Sequence, residues 1–398
     1  MDYGLVLNTL RDSAGIPFYP IVFQALYVLT WALHFAFVGL AMGAMGLSLL
    51  GVGKQKTDEN WKTLVPHLIQ TGKISVSMLI VLGVAPLLFT QVIYDPNWYV
   101  VNSLSGIWIF TFIYAMIAGY SLYYGYYYAN KAGSSATGAI GWISFLILLF
   151  CGVLMHVFAN EAIQPEKWLE WYAPGGVIDH SGTTFVMNPL RLGFMISLVL
   201  PVLGIFLLNY RDYVSKRDDF SASYLNFVGG MGKKIAVGGL LISAVLFVVW
   251  MLTESALFSI PSLLTIASVL VLLMMLVKDF NSYLTTAMLV VAALFISAVR
   301  EYLRYRLMVD LGYDIYDYKV NLEIPTTAMF FATFVGLGFS AVGFMLTLAW
   351  KTGRTQGVFD ASKDKTITLL GNITLTVLVA WLGAFMLWGM FYLFKNTL

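Results

Sequence analysis

The chain has 398 residues, of which 59% are hydrophobic and only 11% are charged, and its formal net charge is +2 at pH 7. A soluble domain carries about 25% charged residues, so this composition predicts a polytopic membrane protein rather than a soluble one. The small net charge argues against a nucleic-acid partner, and a single cysteine excludes both an intramolecular disulfide and a cysteine-based metal cluster.

Ten apolar stretches follow one another along the chain, and each is long enough to cross a bilayer, which takes about 20 residues. They lie near 20–50, 68–93, 104–128, 138–160, 190–209, 235–257, 260–277, 282–303, 326–350 and 368–393. The sequence therefore predicts an all-α, polytopic membrane helix bundle of about ten transmembrane helices, surrounded by lipid and without a soluble domain.

Lysine and arginine residues predict the orientation of the bundle, because cytoplasmic loops carry an excess of them. Connections that follow odd-numbered spans hold roughly fourteen of these residues, and connections on the opposite side hold roughly six. This asymmetry predicts both termini outside, on the periplasmic side of a bacterial or archaeal inner membrane. We name the two ends of each span outer and cytoplasmic on this basis.

Two of the four histidines lie inside apolar spans, His34 in the first and His156 in the fourth. A neutral imidazole is costly in hydrocarbon and is a ready ligand of haem iron. The alternative is a hydrogen bond from each ring to a neighbouring helix, the commoner role of a membrane histidine. As ligands, the two rings would either share one iron or serve different haems.

Ionisable residues gather at the outer ends of the spans. They are Glu161 (span four), Arg191 (span five), Glu254 (span six) and Arg300, Glu301 and Arg304 (span eight). A mixed-sign group of this kind forms ion pairs, or it accepts the protons that a quinol releases with its electrons. Glu254 directly follows a long apolar run and is the first candidate for the second role.

Four segments resemble the large subunit (subunit I) of cytochrome bd-type quinol oxidases. His34, followed by Phe-Ala-Phe-Val, resembles the family's first span, where such a histidine ligates the oxygen-site haem. Asp95–Trp108 resembles the family's Gly-Thr-Asn-Trp turn between spans two and three. The end of span four is similar in Ala159 and Asn160, followed by Gln164 and Pro165. Thr253, Glu254 and Ser255 resemble the Asp-Glu-Ser that ends span six. Residues 1–260 thus resemble the family's spans one to six, and 261–398 hold spans seven to ten of the same membrane domain.

The chain also departs from the family. Span five has no histidine, and Ser197 stands near the place of the low-spin haem ligand. The family's two glutamates of span three fall near Ile107 and Ala115, and the long hydrophilic quinol loop after span six is missing. His156 falls where the family has an apolar residue. These losses argue against a working oxygen reductase.

The resemblance implies a membrane redox subunit of a respiratory chain that oxidises menaquinol or ubiquinol and passes the electrons through haem b to a partner. That partner would be a second membrane subunit, a periplasmic c-type cytochrome, or both. The implied site residues are His34 and His156 for the haem iron, Arg191 and Gln164 for cofactor binding, and Glu254, Glu301 and Arg300 for the quinol head group and proton exit. Two alternatives are a haem-free quinone-binding or structural anchor of a respiratory complex, and a transporter, although the paired broken helices typical of transporters are not evident.

Overall fold

The computed structural model describes the backbone of residues 2–397 and the side chains up to Lys395. In this part of the chain there are thirteen helices and no extended β-sheet. Ten of the helices are long and apolar enough to cross a membrane. The chain is therefore an all-α, multi-pass membrane protein, and the prediction of about ten long apolar helices is confirmed.

Three short helices, the first, fourth and seventh along the chain, accompany the ten long ones. In chain order they are α1 (Tyr3–Thr9), α2 (Pro20–Gly51), α3 (Glu59–Ile93), α4 (Asp95–Leu104), α5 (Gly106–Lys131), α6 (Thr137–Glu161), α7 (Pro165–Tyr172), α8 (Pro189–Val214), α9 (Ala222–Thr253), α10 (Ile260–Val277), α11 (Ser282–Asp310), α12 (Ile324–Arg354) and α13 (Lys365–Thr397).

Two of the long helices begin well before the apolar stretches that predict them, at Glu59 and Ala222. Hydropathy follows only the part of a helix that lies in hydrocarbon, whereas the helix continues as far as its backbone is capped. At the start of α3 the Asp58 carboxylate accepts hydrogen bonds from the backbone N–H groups of Asn60 and Trp61. Such a cap replaces the missing intrahelical acceptors.

The segment that begins at Asp95 forms a helix, α4, rather than the turn that the family resemblance suggests. Pro96 stands in its first turn, where the missing N–H costs nothing. Asn97 lies inside the helix and donates from Nδ2 to the carbonyl oxygen of Ala162 at 2.5 Å. This bond ties α4 to the outer end of α6.

Helix α8 is interrupted at Leu198. Pro201 lacks the N–H that would bond the carbonyl of Ser197, so the helical ladder is broken there. The Ser197 hydroxyl turns back to the carbonyl of Phe194 at 2.7 Å and meets the Ser243 hydroxyl of α9 at 2.9 Å. A pair of serines therefore joins α8 to α9.

The chain divides into two compact units. The first comprises the N-terminal residues up to Gly15, Tyr19–Tyr210 and Asn226–Lys319, and the second comprises Ile16–Phe18, Arg211–Leu225 and the chain from Val320 onward. The first unit thus holds most of the helices up to α11, whereas the last residues of α8 and the first residues of α9 belong to the second. Within the second, α12 and α13 pair, with Lys351 Nζ 2.6 Å from the Asp364 carboxylate.

The first unit has an aromatic core at its outer end. It is built by residues of α2, α3, α8, α9 and α11, because large apolar side chains of each helix point inward there. Its buried members include Tyr27, Trp31, Phe89, Phe194, Phe247, Trp250, Met251, Ile296 and Val299. Arg191, Arg300, Arg304 and Glu254 contact rings of this core, and it positions the site described next.

Candidate functional site

The site lies along the contact between α2 and α11. Four residues of α2 follow each other at intervals of three or four and share one face of the helix: Gln24, Tyr27, Trp31 and His34. The outer half of α11 meets the first three of them with Arg300, Glu301 and Arg304. Aromatic rings and charged groups therefore alternate along this contact.

Glu301 is the buried carboxylate of the site, with only 5% of the residue exposed. Its Oε1 accepts hydrogen bonds from the Tyr94 hydroxyl at 2.7 Å and from Gln24 Nε2 at 2.9 Å. Its Oε2 lies 3.7 Å from Arg304 Nε and accepts no hydrogen bond from any described residue. One oxygen is thus held firmly, and the other is left with a long ion pair.

Arg304 lies between two tyrosine rings. Its Cζ is 4.5 Å from the ring centre of Tyr27 and 4.9 Å from that of Tyr94, and Nη1 donates to the Thr90 hydroxyl at 3.2 Å. Burial raises the pKa of the Tyr94 hydroxyl well above its usual value, and the Glu301 charge acts in the same direction. The hydroxyl therefore stays protonated and serves as a hydrogen-bond donor.

Arg300 has a ring partner but lacks hydrogen-bond acceptors. Its Cζ lies 4.1 Å from the ring centre of Trp31. Nε and Nη1 are buried and donate to no group among residues 2–397. Leaving a charged donor buried and unpaired costs more than a hydrogen bond normally contributes. This guanidinium is thus the least satisfied polar group of the site.

His34 bonds to the neighbouring helix. Its Nδ1 lies 2.8 Å from the carbonyl oxygen of Leu79 on α3 and donates to it. The ring approaches α3 where residue 83 is a glycine, and a Cβ there would come within 2.9 Å of the ring. The neutral ring therefore carries its proton on Nδ1, and the Nε2 lone pair has no protein partner among the described residues.

His156 is buried and belongs to a hydrogen-bond network with Asn160, Asn188 and Arg191. Arg191 Nη1 donates to Asn160 Oδ1 at 3.0 Å, and Asn160 Nδ2 lies 2.7 Å from His156 Nε2. The backbone N–H of Asn188 also donates to this nitrogen, at 3.2 Å. Because a backbone N–H can only donate, Nε2 is the acceptor and Nδ1 carries the proton.

The hydrogen bonds of His156 bear on its predicted iron-ligand role, which stays a prediction. A ligand nitrogen needs a free lone pair, and in this ring the only lone pair already accepts two hydrogen bonds. Asn160 and Asn188 serve the histidine and Arg191, which is only 8% exposed.

Glu254 lies at the outer end of α9, half-buried beside the same core. Its Oε1 accepts from the Trp250 indole N–H at 3.1 Å, and Arg306 donates to its carbonyl oxygen at 2.7 Å. An open cavity of about 510 Å³ adjoins the next residue, Ser255, in the turn between α9 and α10, and Glu254 itself does not line it. It is lined by Met251, Leu252, Ser255, Ala256, Leu257, Phe258, Ser259 and Tyr302.

Gln164 stands apart from the charged groups. It lies in the turn between α6 and α7, where Nε2 donates to the carbonyl of Asn160 at 3.1 Å and Oε1 accepts from Lys167 at 2.9 Å. The other predicted residues lie around the aromatic core. Gln24, Tyr27, Trp31 and Tyr94 were not predicted, although the regular spacing of the first three with His34 is a signal that could have found them.

Within the described side chains, no group of three or more histidine, cysteine, aspartate or glutamate residues is placed to hold a metal ion. A haem iron needs only one or two protein ligands, so this finding leaves the haem prediction untouched. No protein-family model matches the chain, and no curated protein matches it.

Proposed function

We propose that this chain is a membrane redox subunit related to the bd-type quinol oxidases. It oxidises membrane quinol, menaquinol or ubiquinol, and passes the electrons through haem b to a partner cytochrome or respiratory complex in a bacterial or archaeal inner membrane. The observation that carries the proposal is Arg300, whose buried Nε and Nη1 lack an acceptor. Its guanidinium lies over Trp31, which is one turn from His34 on the same face of α2.

The balance of charge around Arg300 calls for an anionic ligand. Three guanidinium groups, those of Arg191, Arg300 and Arg304, lie around the aromatic core with one fully buried carboxylate, Glu301. Charges inside a membrane protein require partners of opposite sign. The two propionates of a haem are anionic acceptors, and they would supply the acceptor that Nε and Nη1 of Arg300 lack.

His34 suits the iron of the same group. Its Nδ1 proton is held by the Leu79 carbonyl, which leaves the lone pair of Nε2 for a metal. A hydrogen bond of this kind fixes the tautomer and orientation of histidine ligands. We therefore assign the iron to His34 and a propionate to Arg300, and we assign His156 to the packing of α6 against α8. When bound, the haem supplies a one-electron carrier.

Quinol is best accommodated by the cavity beside Glu254. Its walls combine apolar side chains such as Met251 and Leu257 with the hydroxyls of Ser255 and Tyr302. A quinol likewise combines an apolar ring with two hydroxyls, and its oxidation needs a group that accepts protons. Glu254 directly precedes the lining residue Ser255, and we propose its half-buried carboxylate for that role. Glu301 also has an oxygen without a hydrogen bond.

The contact between Ser197 and Ser243 supports a function other than oxygen reduction. It lies where the related family binds its low-spin haem, and two serines bonded to each other offer no ligand to iron. Electrons would accordingly leave through a separate acceptor, a second membrane subunit or a periplasmic c-type cytochrome.

The experiment is a reduced-minus-oxidised absorption spectrum of the purified chain, with a pyridine haemochrome assay for haem type and stoichiometry. A b-type signal is expected that is lost in His34→Ala and kept in His156→Ala. The exposed His180 provides the control variant, His180→Ala, which should keep the full signal. A well-folded preparation without haem, or a full signal in His34→Ala, would reject the assignment.

A second candidate is a haem-free, quinone-binding anchor of a respiratory complex. It is favoured by the hydrogen bonds of both membrane histidines, since the bonds to Leu79 and Asn188 give each ring an ordinary structural role. The same preparation separates the two functions. A colourless chain that still binds a quinone analogue, and loses that binding in Glu254→Gln, is the anchor.

A further inference from the structure

Glu161 is a second buried carboxyl, remote from the hydrogen bonds of Glu301. It is the last residue of α6 and is 0% exposed. Both of its carboxyl oxygens lie 2.7 Å from the hydroxyl oxygen of Ser105, in the turn between α4 and α5. No lysine, arginine or histidine side chain of the described residues forms an ion pair with it.

The number of protons available around Ser105 indicates whether the Glu161 carboxyl is protonated or charged. The Ser105 hydroxyl also lies 2.9 Å from the carbonyl oxygen of Thr184. One hydroxyl proton cannot serve both a carboxylate and a carbonyl. If Glu161 is a carboxylic acid, one of its oxygens donates to the serine oxygen and the serine donates to Thr184, so two of the three short contacts are hydrogen bonds. With a carboxylate, only one of the three can be.

The position of Glu161 in the helix disfavours its charged form as well. A carboxylate at the C-terminal end of a helix faces the negative end of the helix dipole. A buried carboxylate without a cation also lacks the partner that would offset its loss of hydration. The groups that face it are Ser105, Thr184 of the loop before α8, and Trp168 of α7, whose indole donates to the Glu161 carbonyl at 2.8 Å. None of them carries a charge.

We infer that Glu161 is a proton-binding site: a carboxylic acid that keeps its proton at neutral pH and exchanges it with the outer aqueous phase through the Ser105 hydroxyl. The carbonyl of Thr184 only accepts from Ser105, so the serine hydroxyl is the last proton carrier of the protein. It borders a loop in which Thr184 is half-buried and Thr183 is exposed. The inference goes beyond the proposed function and does not depend on it. In a quinol-oxidising protein, the site would lie on the side where protons are released.

The test is the infrared absorption of protonated carboxyl groups in the purified chain, at neutral pH in lipid. Wild type minus Glu161→Gln should show one carboxylic C=O band, and this band should shift when water is replaced by D₂O. Asp95 and Glu301 are unchanged in this pair, so their contributions cancel. A difference spectrum without a carboxylic band would overturn the inference.

Ser105→Ala provides a second reading that also serves if Glu161→Gln fails to fold. Loss of the serine hydrogen bond should raise the frequency of the band and slow its deuterium exchange. Ser103, two positions earlier, is exposed and bonds only to the carbonyl of Tyr99, so Ser103→Ala is the matched control and should change neither. Equal spectra and equal exchange in the two serine variants would contradict the proposed path.

Discussion

The guanidinium of Arg300 stacks on Trp31, with 4.1 Å between its Cζ and the ring centre. A tryptophan face is the strongest ring partner for a cation, yet it meets only the flat face of the guanidinium. The N–H groups point outward in the plane, and those of Nε and Nη1 find no acceptor in the described chain. The tryptophan therefore holds the group in place while these two nitrogens have no acceptor among the described residues.

Replacing Arg300 by glutamine should release the haem. A hydrogen bond to a charged group contributes about 1.5–3 kcal/mol, so losing it should lower haem affinity about tenfold or more. Haem per chain, measured by pyridine haemochrome after purification, reports the change. Arg211→Gln is the control, because Arg211 forms its ion pair with Asp212 in the second unit. Equal haem content in the two variants would remove Arg300 from the binding site.

Replacing His156 by alanine should destabilise the fold and leave haem binding intact. The variant removes the acceptor of the buried Asn160 Nδ2, which keeps only a 3.5 Å contact to the Val186 carbonyl, and that of the half-buried backbone N–H of Asn188. An unsatisfied buried donor costs about 1–3 kcal/mol. The midpoint of thermal unfolding in detergent should therefore fall, whereas His180→Ala in the exposed loop should leave it unchanged. If His156→Ala instead lost its haem at an unaltered midpoint, the ring would be a ligand after all.

Asp95 should make stability depend on pH. Burial raises the pKa of this carboxyl, although hydrogen bonds from Tyr318 and from the backbone N–H of Asp12 oppose the shift. The folded protein then binds the proton more tightly than the unfolded chain, in which the pKa is about 3.9. The stabilising effect of that proton is fully present below about pH 3.9 and is lost as pH rises through the folded-state value.

Asp95→Asn removes this titration. The difference in unfolding midpoint between the variant and wild type should shift in favour of the variant as pH rises from about 4 to about 8. Asp310→Asn, an exposed position on the same outer side, should show a constant difference. A constant difference for Asp95→Asn too would mean that its carboxyl has an ordinary pKa in the folded protein.

The ten spans could be predicted from the sequence, because each depends on the composition of one local stretch. The stripe of Gln24, Tyr27, Trp31 and His34 is visible in the same way, since its period is that of a single helix. The hydrogen bond from Gln24 to Glu301 is not, because it joins positions 277 residues apart. Apolar helices offer several similar faces for packing, and hydropathy does not choose among them.

The two membrane histidines show where local reasoning ends. The sequence places both rings in apolar spans and gives no sign of a difference between their surroundings. Their difference depends on distant backbone groups: His34 donates to the carbonyl of Leu79, whereas His156 accepts from the N–H of Asn188. A pattern of residue types cannot reveal which ring nitrogen stays free, since that depends on which backbone group of another helix or loop lies beside the ring.

Gly83 should prove necessary for the position of His34. An alanine Cβ there would lie 2.9 Å from Cε1 of the ring and 3.0 Å from Nδ1, closer than real contacts allow. Gly83→Ala should push the ring away, break its bond to Leu79 and lower haem content, although alanine favours the helix by about 1 kcal/mol. Gly152→Ala in α6 is the matched control, because a Cβ there meets nothing within 4 Å. Haem content and absorption maxima are compared between the two glycine variants. Identical values would show that the contact between His34 and α3 has no part in haem binding, even if both variants gain stability.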